Sequence, residues 1–288
     1  MVLKKIAIGL GLGWMLSIPA YGQYTYGTTG LLNMPSADMQ KGTTAMIGGG
    51  YLGKHSSPYR WNYNTWNYYI NLTIFSWVEV SYTCTIFDEM IRRGNTPIHL
   101  KNQDRNFSVR FRAWKEGWWM PWTPQLVLGV NDITTGSGGD YLQMQVNGKG
   151  NGYYNRYFVA MTKHFPIRSV GEFGLHAAYV YNKRKDYKLK GFGLGMNFRF
   201  GLNGDDFWTK ALNGLNLMAE AYPANDQGAR KTTSFEGKVP YSRGLHVGRY
   251  DLNAGFGYSL WKDRINIYSH LYGCKDFSVG LQLKMCLE

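Results

Sequence analysis

The expected fold is all-β: a closed antiparallel transmembrane β-barrel of about twelve strands. Three observations lead there. Residues 249–285 alternate apolar and polar side chains in three successive segments, the pattern of strands with one greasy and one wet face. The connections between alternating segments tend to run long, then short, in turn. Beyond residue 22 no apolar run is long enough for a helix to cross a bilayer, so a chain living in lipid must close its strand edges on one another.

The first 22 residues stand apart. Lys4 and Lys5 precede an apolar stretch from Ile6 to Ile18, and Ala20-Tyr21-Gly22 sets small residues where a signal peptidase reads them. Residues 1–22 are therefore expected to be a cleaved secretory signal. Residues 23–42 form an N-terminal segment containing a Gly-Thr-Thr-Gly motif, and 43–288 form the barrel.

The strands expected, in order, are 43–52, 63–74, 77–87, 106–115, 124–131, 154–164, 172–182, 191–200, 213–222, 249–260, 263–272 and 276–286. Val78, Val80, Tyr82, Cys84 and Ile86 face one way, against Glu79, Ser81, Thr83 and Thr85. Phe107, Val109, Phe111 and Ala113 oppose Ser108, Arg110 and Arg112. Phe192, Leu194, Met196, Phe198 and Phe200 oppose three glycines, Asn197 and Arg199. In 124–131 the alternation is weak. In the last segment Phe277, Val279, Leu281, Leu283 and Met285 oppose Ser278, Gly280, Gln282 and Lys284.

Among the connections, 53–62, 88–105, 132–153, 183–190 and 223–248 are long, while 75–76, 116–123, 165–171 and 261–262 are shorter. Outer-membrane barrels put long loops outside the cell and short turns in the periplasm. The segment 201–212 and the short last hairpin depart from that rhythm. Trp77, Trp114, Trp118, Trp119 and Trp122 flank short turns, where a headgroup-level girdle would sit. Ser278, Gly280, Leu283 and Met285 resemble the terminal signature read by the barrel-assembly machinery.

Composition supports this: 16% aromatic residues, 36 glycines and 18% charged residues. The formal net charge is +13, or 13 − 2 = +11 without Lys4 and Lys5. On an exported chain this points to lipopolysaccharide phosphates or an acidic polysaccharide as partners rather than to nucleic acid. The basic groups concentrate in expected outer loops, among them Arg92, Arg93, Lys183, Arg184, Lys185, Arg230 and Lys231. The three cysteines, Cys84, Cys274 and Cys286, show no metal spacing. Cys274 and Cys286 are expected either near each other at adjacent strand ends or as free thiols.

On the wet face lie Glu79, Arg110, Arg112, His176, Arg199, Glu220 and Asp251, the candidate lumen-binding residues. Two readings stand. Arg110 and Arg112 form an arginine ladder for a sugar acid or phosphate, or the set is an ion-pair network holding the barrel shut. No cofactor or metal is expected. The chain lacks Gly-x-Ser-x-Gly, His-Glu-x-x-His and a phosphate loop, so no enzyme is expected.

Residues 26–37 read Tyr-Gly-Thr-Thr-Gly-Leu-Leu-Asn-Met-Pro-Ser-Ala. Later come Trp77-Val-Glu-Val-Ser-Tyr82 and Leu128-Gly-Val-Asn-Asp-Ile-Thr-Thr-Gly-Ser-Gly-Gly-Asp-Tyr141. The chain resembles the YjbH family of exopolysaccharide-associated outer-membrane proteins, as a single-barrel short form. The matching positions are Gly27, Thr29, Gly30, Pro35, Trp77, Glu79, Asp132, Gly136 and Tyr141. The resemblance implies a place in the outer membrane of a Gram-negative bacterium and a part in exporting or assembling an extracellular polysaccharide. The alternatives are a structural or binding barrel that scaffolds a surface complex, or a lipid-modifying barrel enzyme. Read from the residues alone, Gly27, Gly30 and Pro35 shape the approach to the first strand.

Overall fold

The computed structural model describes residues 22–23, 25–53, 65–93, 96–133, 155–182, 189–223 and 244–287, with the backbone alone for 22–23 and 87–104. A minimal ladder joins β1 (Gly22–Gln23) to β2 (Thr28–Thr29). The long strands that follow are β3 (Thr44–Leu52), β4 (Thr65–Ile74), β5 (Val78–Arg93), β6 (Thr96–Trp114), β7 (Gln125–Asn131), β8 (Arg156–Ile167), β9 (Gly171–Tyr181), β10 (Lys190–Phe200) and β11 (Leu215–Pro223). After the two-residue β12 (His246–Val247) come β13 (Tyr250–Leu260), β14 (Ile265–Tyr272) and β15 (Asp276–Cys286).

Pairing is antiparallel and neighbour to neighbour from β3 to β11. Then β11 joins β13, and β15 returns to β3. With β12 an appendage on β13, twelve strands close the ring. Closure satisfies the main chain internally, which is the condition for crossing hydrocarbon.

The alternation read from the sequence is the alternation of the wall. Along β4 burial switches at every residue. Trp66, Tyr68, Ile70, Leu72 and Ile74 are exposed on the outside, while Asn67, Tyr69, Asn71 and Thr73 turn inward and are buried. The same holds for Phe192, Leu194 and Met196 outside against Asn197 inside, and for Leu281 and Leu283 against Gln282. Polar residues inside and large apolar residues outside invert a soluble core. Only a lipid surround makes that distribution favourable.

The barrel's short-turn end is built from residues 75–77, 115–124, 168–170, 201–214 and 261–264. Phe75 and Ser76 both take positive φ, as a tight hairpin whose twist matches its strands requires. Trp77, Trp118, Trp119, Trp122 and Trp261 are exposed at this end. The segment 201–212 carries a short helix, α1 (Phe207–Asn213), whose first turn is capped by Asp206 accepting from the Thr209 N–H at 3.0 Å. That helix explains its excess length.

One expectation is corrected. The connection expected at 88–105 is strand over its described residues: β5 and β6 stay paired from Val78↔Phe111 to Arg93↔Thr96. Its polar sequence hid this, because it carries no sustained apolar alternation. Of the two alternatives for the cysteines, the second holds: Cys274, in the turn 273–275, and Cys286, at the far end of the eleven-residue β15, are not neighbours, and both are free thiols. Residues 1–21, Gly136, Tyr141 and most of the basic outer loops lie outside the described residues.

Candidate functional site

The N-terminal segment, residues 25–40, does not merely lead into β3. It lies inside the barrel and is almost wholly buried: Thr25, Thr29, Leu32, Met34, Ser36 and Ala37 are each 0% exposed. Gly27, at φ 64, sits in the first turn, where a Cβ would lie 2.4 Å from Thr83 Oγ1. The N–H of Leu31 donates to the Met34 carbonyl at 3.1 Å, and Gly30 bridges Pro35, closing a second turn. These glycines and the proline shape a compact plug. The sequence offered no sign of this, because an irregular segment has no period.

The plug reaches both sides of the lumen. On one wall, Glu79 of β5 accepts from the Thr29 N–H at 2.6 Å and from Asn71 Nδ2 at 2.9 Å. Asn71 also donates to the Gly27 carbonyl at 2.8 Å, and Thr83 donates to that of Tyr26 at 2.9 Å. On the other wall, Glu220 of β11 accepts three plug N–H groups, from Leu32 at 3.2 Å, Asn33 at 2.8 Å and Met34 at 2.9 Å. Asn253 Nδ2 steadies the same carboxylate at 2.9 Å. In the ring, β5 and β11 stand six strands apart, diametrically opposed.

Between them, Arg110 donates to the carbonyls of Thr29, Ser36 (2.6 Å) and Asp38 (2.7 Å). Its Nε lies 3.9 Å from Glu79 Oε2. Arg156 donates to the Asn33 carbonyl, to Tyr222 Oη at 3.0 Å and to Asn131 Oδ1 at 2.6 Å. Its guanidinium lies 3.5 Å from the centre of the Tyr26 ring, a cation–π contact. At the plug's far end Asp38 meets His164 Nε2 at 3.3 Å and His176 Nδ1 at 3.8 Å. His164 Nδ1 contacts Glu116 Oε2 at 2.7 Å. Ser36 Oγ donates to Asp38 Oδ2 at 2.9 Å, and Thr162 Oγ1 accepts the Ala37 N–H at 2.8 Å.

The wall makes room by omission. Cβ atoms added at Gly193, Gly195 or Gly255 would fall within 2.8 Å of Met34, Leu31 or Leu32. At Gly129 a Cβ would lie 2.3 Å from the Phe158 ring and 2.9 Å from Arg110 Cβ. Beside β3, β4, β14 and β15, Tyr69 and Tyr268 are buried in the lumen, their hydroxyls 2.6 Å apart and sharing Gln282.

Of the seven lumen candidates, Glu79, Arg110, His176 and Glu220 converge on the plug. The other three do not. Arg112 reaches Ser76 Oγ at 3.1 Å, Arg199 lies 3.9 Å from Glu172, and Asp251 sits near the start of β13. At the plug Arg110 is therefore joined by Arg156 and not by Arg112. Sequence reasoning missed Arg156 because its neighbours on the inward face of β8, Phe158 and Ala160, are apolar. It missed Asp38 because the segment was assigned to the lead-in. Of the motif positions, Gly27, Thr29, Gly30 and Pro35 build the plug, and Glu79 holds it. Trp77 is exposed at the short-turn end, and the Asp132 carbonyl accepts from Asn155 Nδ2 at 3.0 Å.

Residues 22–176 match the family model described as "Exopolysaccharide biosynthesis protein YbjH". The chain belongs to the YjbH family. The matched stretch starts before the plug and ends on β9 at His176, so the YjbH match takes in the plug together with Glu79, Arg110 and Arg156. No curated protein matches the chain. Solved structures similar to this YjbH-family chain include the KdgM porin, at 7% identity and TM-score 0.43, covering 85% of this chain and 99% of that one. The Acinetobacter baumannii outer-membrane protein Omp33 is similar at 8% identity and TM-score 0.39, covering 85% and 98%. Outer membrane phospholipase A from Escherichia coli is similar at 11% and 0.33, covering 86% and 98%. At such scores the barrel assignment stands on the strand pairing itself. The closed ring and its apolar outer belt make this an outer-membrane β-barrel in contact with membrane lipid.

Proposed function

We propose that the protein takes part in the export or assembly of an extracellular polysaccharide at the outer membrane, with residues 25–40 acting as a removable plug. The observation that carries this reading is how the plug is held. Buried ionised side chains on opposed walls grip it by hydrogen bonds, which a competing polar chain is able to replace one by one. The exopolysaccharide description of the family supplies the substrate class. In this reading residues 1–22 are a signal cleaved before Gln23, and the barrel-assembly machinery reads the last strand. Basic outer loops meet lipopolysaccharide phosphates, and the barrel carries out no catalysis. The test is a deletion strain complemented with wild-type protein or with a Gly27→Val variant, scored for polysaccharide released to the medium and for lipid A by mass spectrometry. Release lost in the uncomplemented deletion strain and restored by wild-type protein, with unchanged lipid A, is expected; normal release from the uncomplemented strain overturns the reading.

A second reading, a scaffolding barrel without transport, is favoured by the apolar packing of Leu31, Leu32 and Met34 against the glycines of β10 and β13. Planar-bilayer conductance separates the two. If wild-type and Gly27→Val barrels are both folded and both closed to ions and sugars, the scaffold replaces the transporter.

A further inference from the structure

Glu79, Arg110, Arg156 and Glu220 make eight hydrogen bonds to the plug, and all eight end on main-chain N–H or C=O groups. These four residues therefore bond the plug through its main-chain donors and acceptors, with the Tyr26 ring over Arg156 as their side-chain contact. The two arginines share one bay. Their guanidiniums lie 6.0 and 5.6 Å from the centre of the same ring, Phe158. Gly129 opposite leaves that ring its space.

A guanidinium carries five donors and no acceptor. When the plug withdraws, Arg110 loses three carbonyl acceptors and Arg156 loses one, together with the Tyr26 face. Those freed donors then line the opened lumen, where planar carboxylates match their fork geometry. We infer that the Arg110–Arg156 bay is a binding site for the acidic sugars of a uronate-type polysaccharide, and that the plug occupies it as a main-chain surrogate of that ligand. Carboxylates of the glycan replace plug carbonyls on the two arginines. Its hydroxyls replace plug N–H groups on Glu79 and Glu220, and its ring face replaces Tyr26 over Arg156. The inference rests on the polysaccharide reading above and specifies its substrate.

The test uses a linear trisaccharide of galacturonic acid, with maltotriose as the neutral control. In the unaltered barrel in detergent, the acidic trisaccharide is expected to speed hydrogen exchange at the amides of residues 29–34, and maltotriose is not. In planar bilayers, the Gly27→Val barrel is expected to pass current with anion preference and to be blocked by the acidic trisaccharide. Adding Arg110→Gln and Arg156→Gln should weaken that block roughly tenfold or more while current persists, because charge-assisted bonds are lost. Heat-modifiable gel migration establishes folding in each case. Equal responses to the two sugars, a block indifferent to the arginine changes, or unaltered exchange in the wild-type barrel would each overturn the site. Binding that persists in vitro while a deletion strain still releases polysaccharide normally sinks the export reading and leaves the site standing.

Discussion

Replacing Glu220 by alanine should release the plug while leaving the barrel closed. The carboxylate accepts three plug N–H groups at 3.2, 2.8 and 2.9 Å, all buried. A hydrogen bond to an ionised group contributes about 1.5–3 kcal/mol. Taken together, three such bonds exceed what is recovered, because burying the carboxylate itself costs several kcal/mol. A net loss of about 3–4 kcal/mol in plug docking follows, or roughly a 10²–10³-fold rise in plug opening. Native-state hydrogen exchange in detergent is the assay. Amides of residues 29–38 should exchange faster by that factor. Those in the middle of β4 and β14 should be unchanged, since their partners lie on neighbouring strands. Glu220→Gln, which keeps one acceptor oxygen, should fall between. Unchanged exchange at residues 32–34 would refute the argument that this carboxylate latches the plug, and uniform acceleration over all strands would show that plug and barrel open together.

Three further outcomes are expected. Leu281 is 48% exposed on the outer face of β15, so Leu281→Arg should destabilise the barrel by about 2–4 kcal/mol if that face meets the bilayer midplane; equilibrium refolding into lipid vesicles measures it, and a neutral result would place this face outside the hydrocarbon. Glu116 would be raised by burial, but hydrogen bonds from His164 and Lys163 outweigh this and hold its carboxyl below the usual 4.5. A depressed folded value means its stabilisation is complete above the unfolded value and is lost as pH falls through the folded one. Docking of turn 115–124, followed by Trp118, Trp119 and Trp122 fluorescence, should hold at neutral pH and loosen below about pH 4.5, whereas Glu116→Gln should flatten that response. Finally, Cys274, in the turn before β15, and Cys286, at the strand's far end, are both exposed, roughly 35–40 Å apart along the strand direction. An impermeant maleimide applied to intact cells should label Cys274 and spare Cys286; the reverse pattern would invert the barrel's orientation.

Much of the wall was legible in the sequence. Even 124–131, where alternation is weak, proved to be a strand, β7, paired on both sides; a bulge between Arg112 and Trp114 interrupts its register with β6. Half of the site was legible too, because Glu79, Arg110, His176 and Glu220 fall on wet faces whatever they touch. Arg156 was not legible, since its role depends on standing opposite Asn131 in the β7–β8 register. Nor was the plug legible, because Thr29 and Glu79 are fifty residues apart and Met34 and Glu220 are 186 apart.

The local period of side chains decided that this chain makes strands with a greasy and a wet face, and that those strands close in lipid. Those are properties of neighbouring residues, and two faces in contact with two solvents leave their mark at every second position. Only the tertiary structure decided what fills the cylinder. The plug's partners are brought together by ring closure across the full width of the barrel, and its docking is governed by hydrogen-bond geometry between main chain and buried charge, which no spacing in a linear sequence encodes.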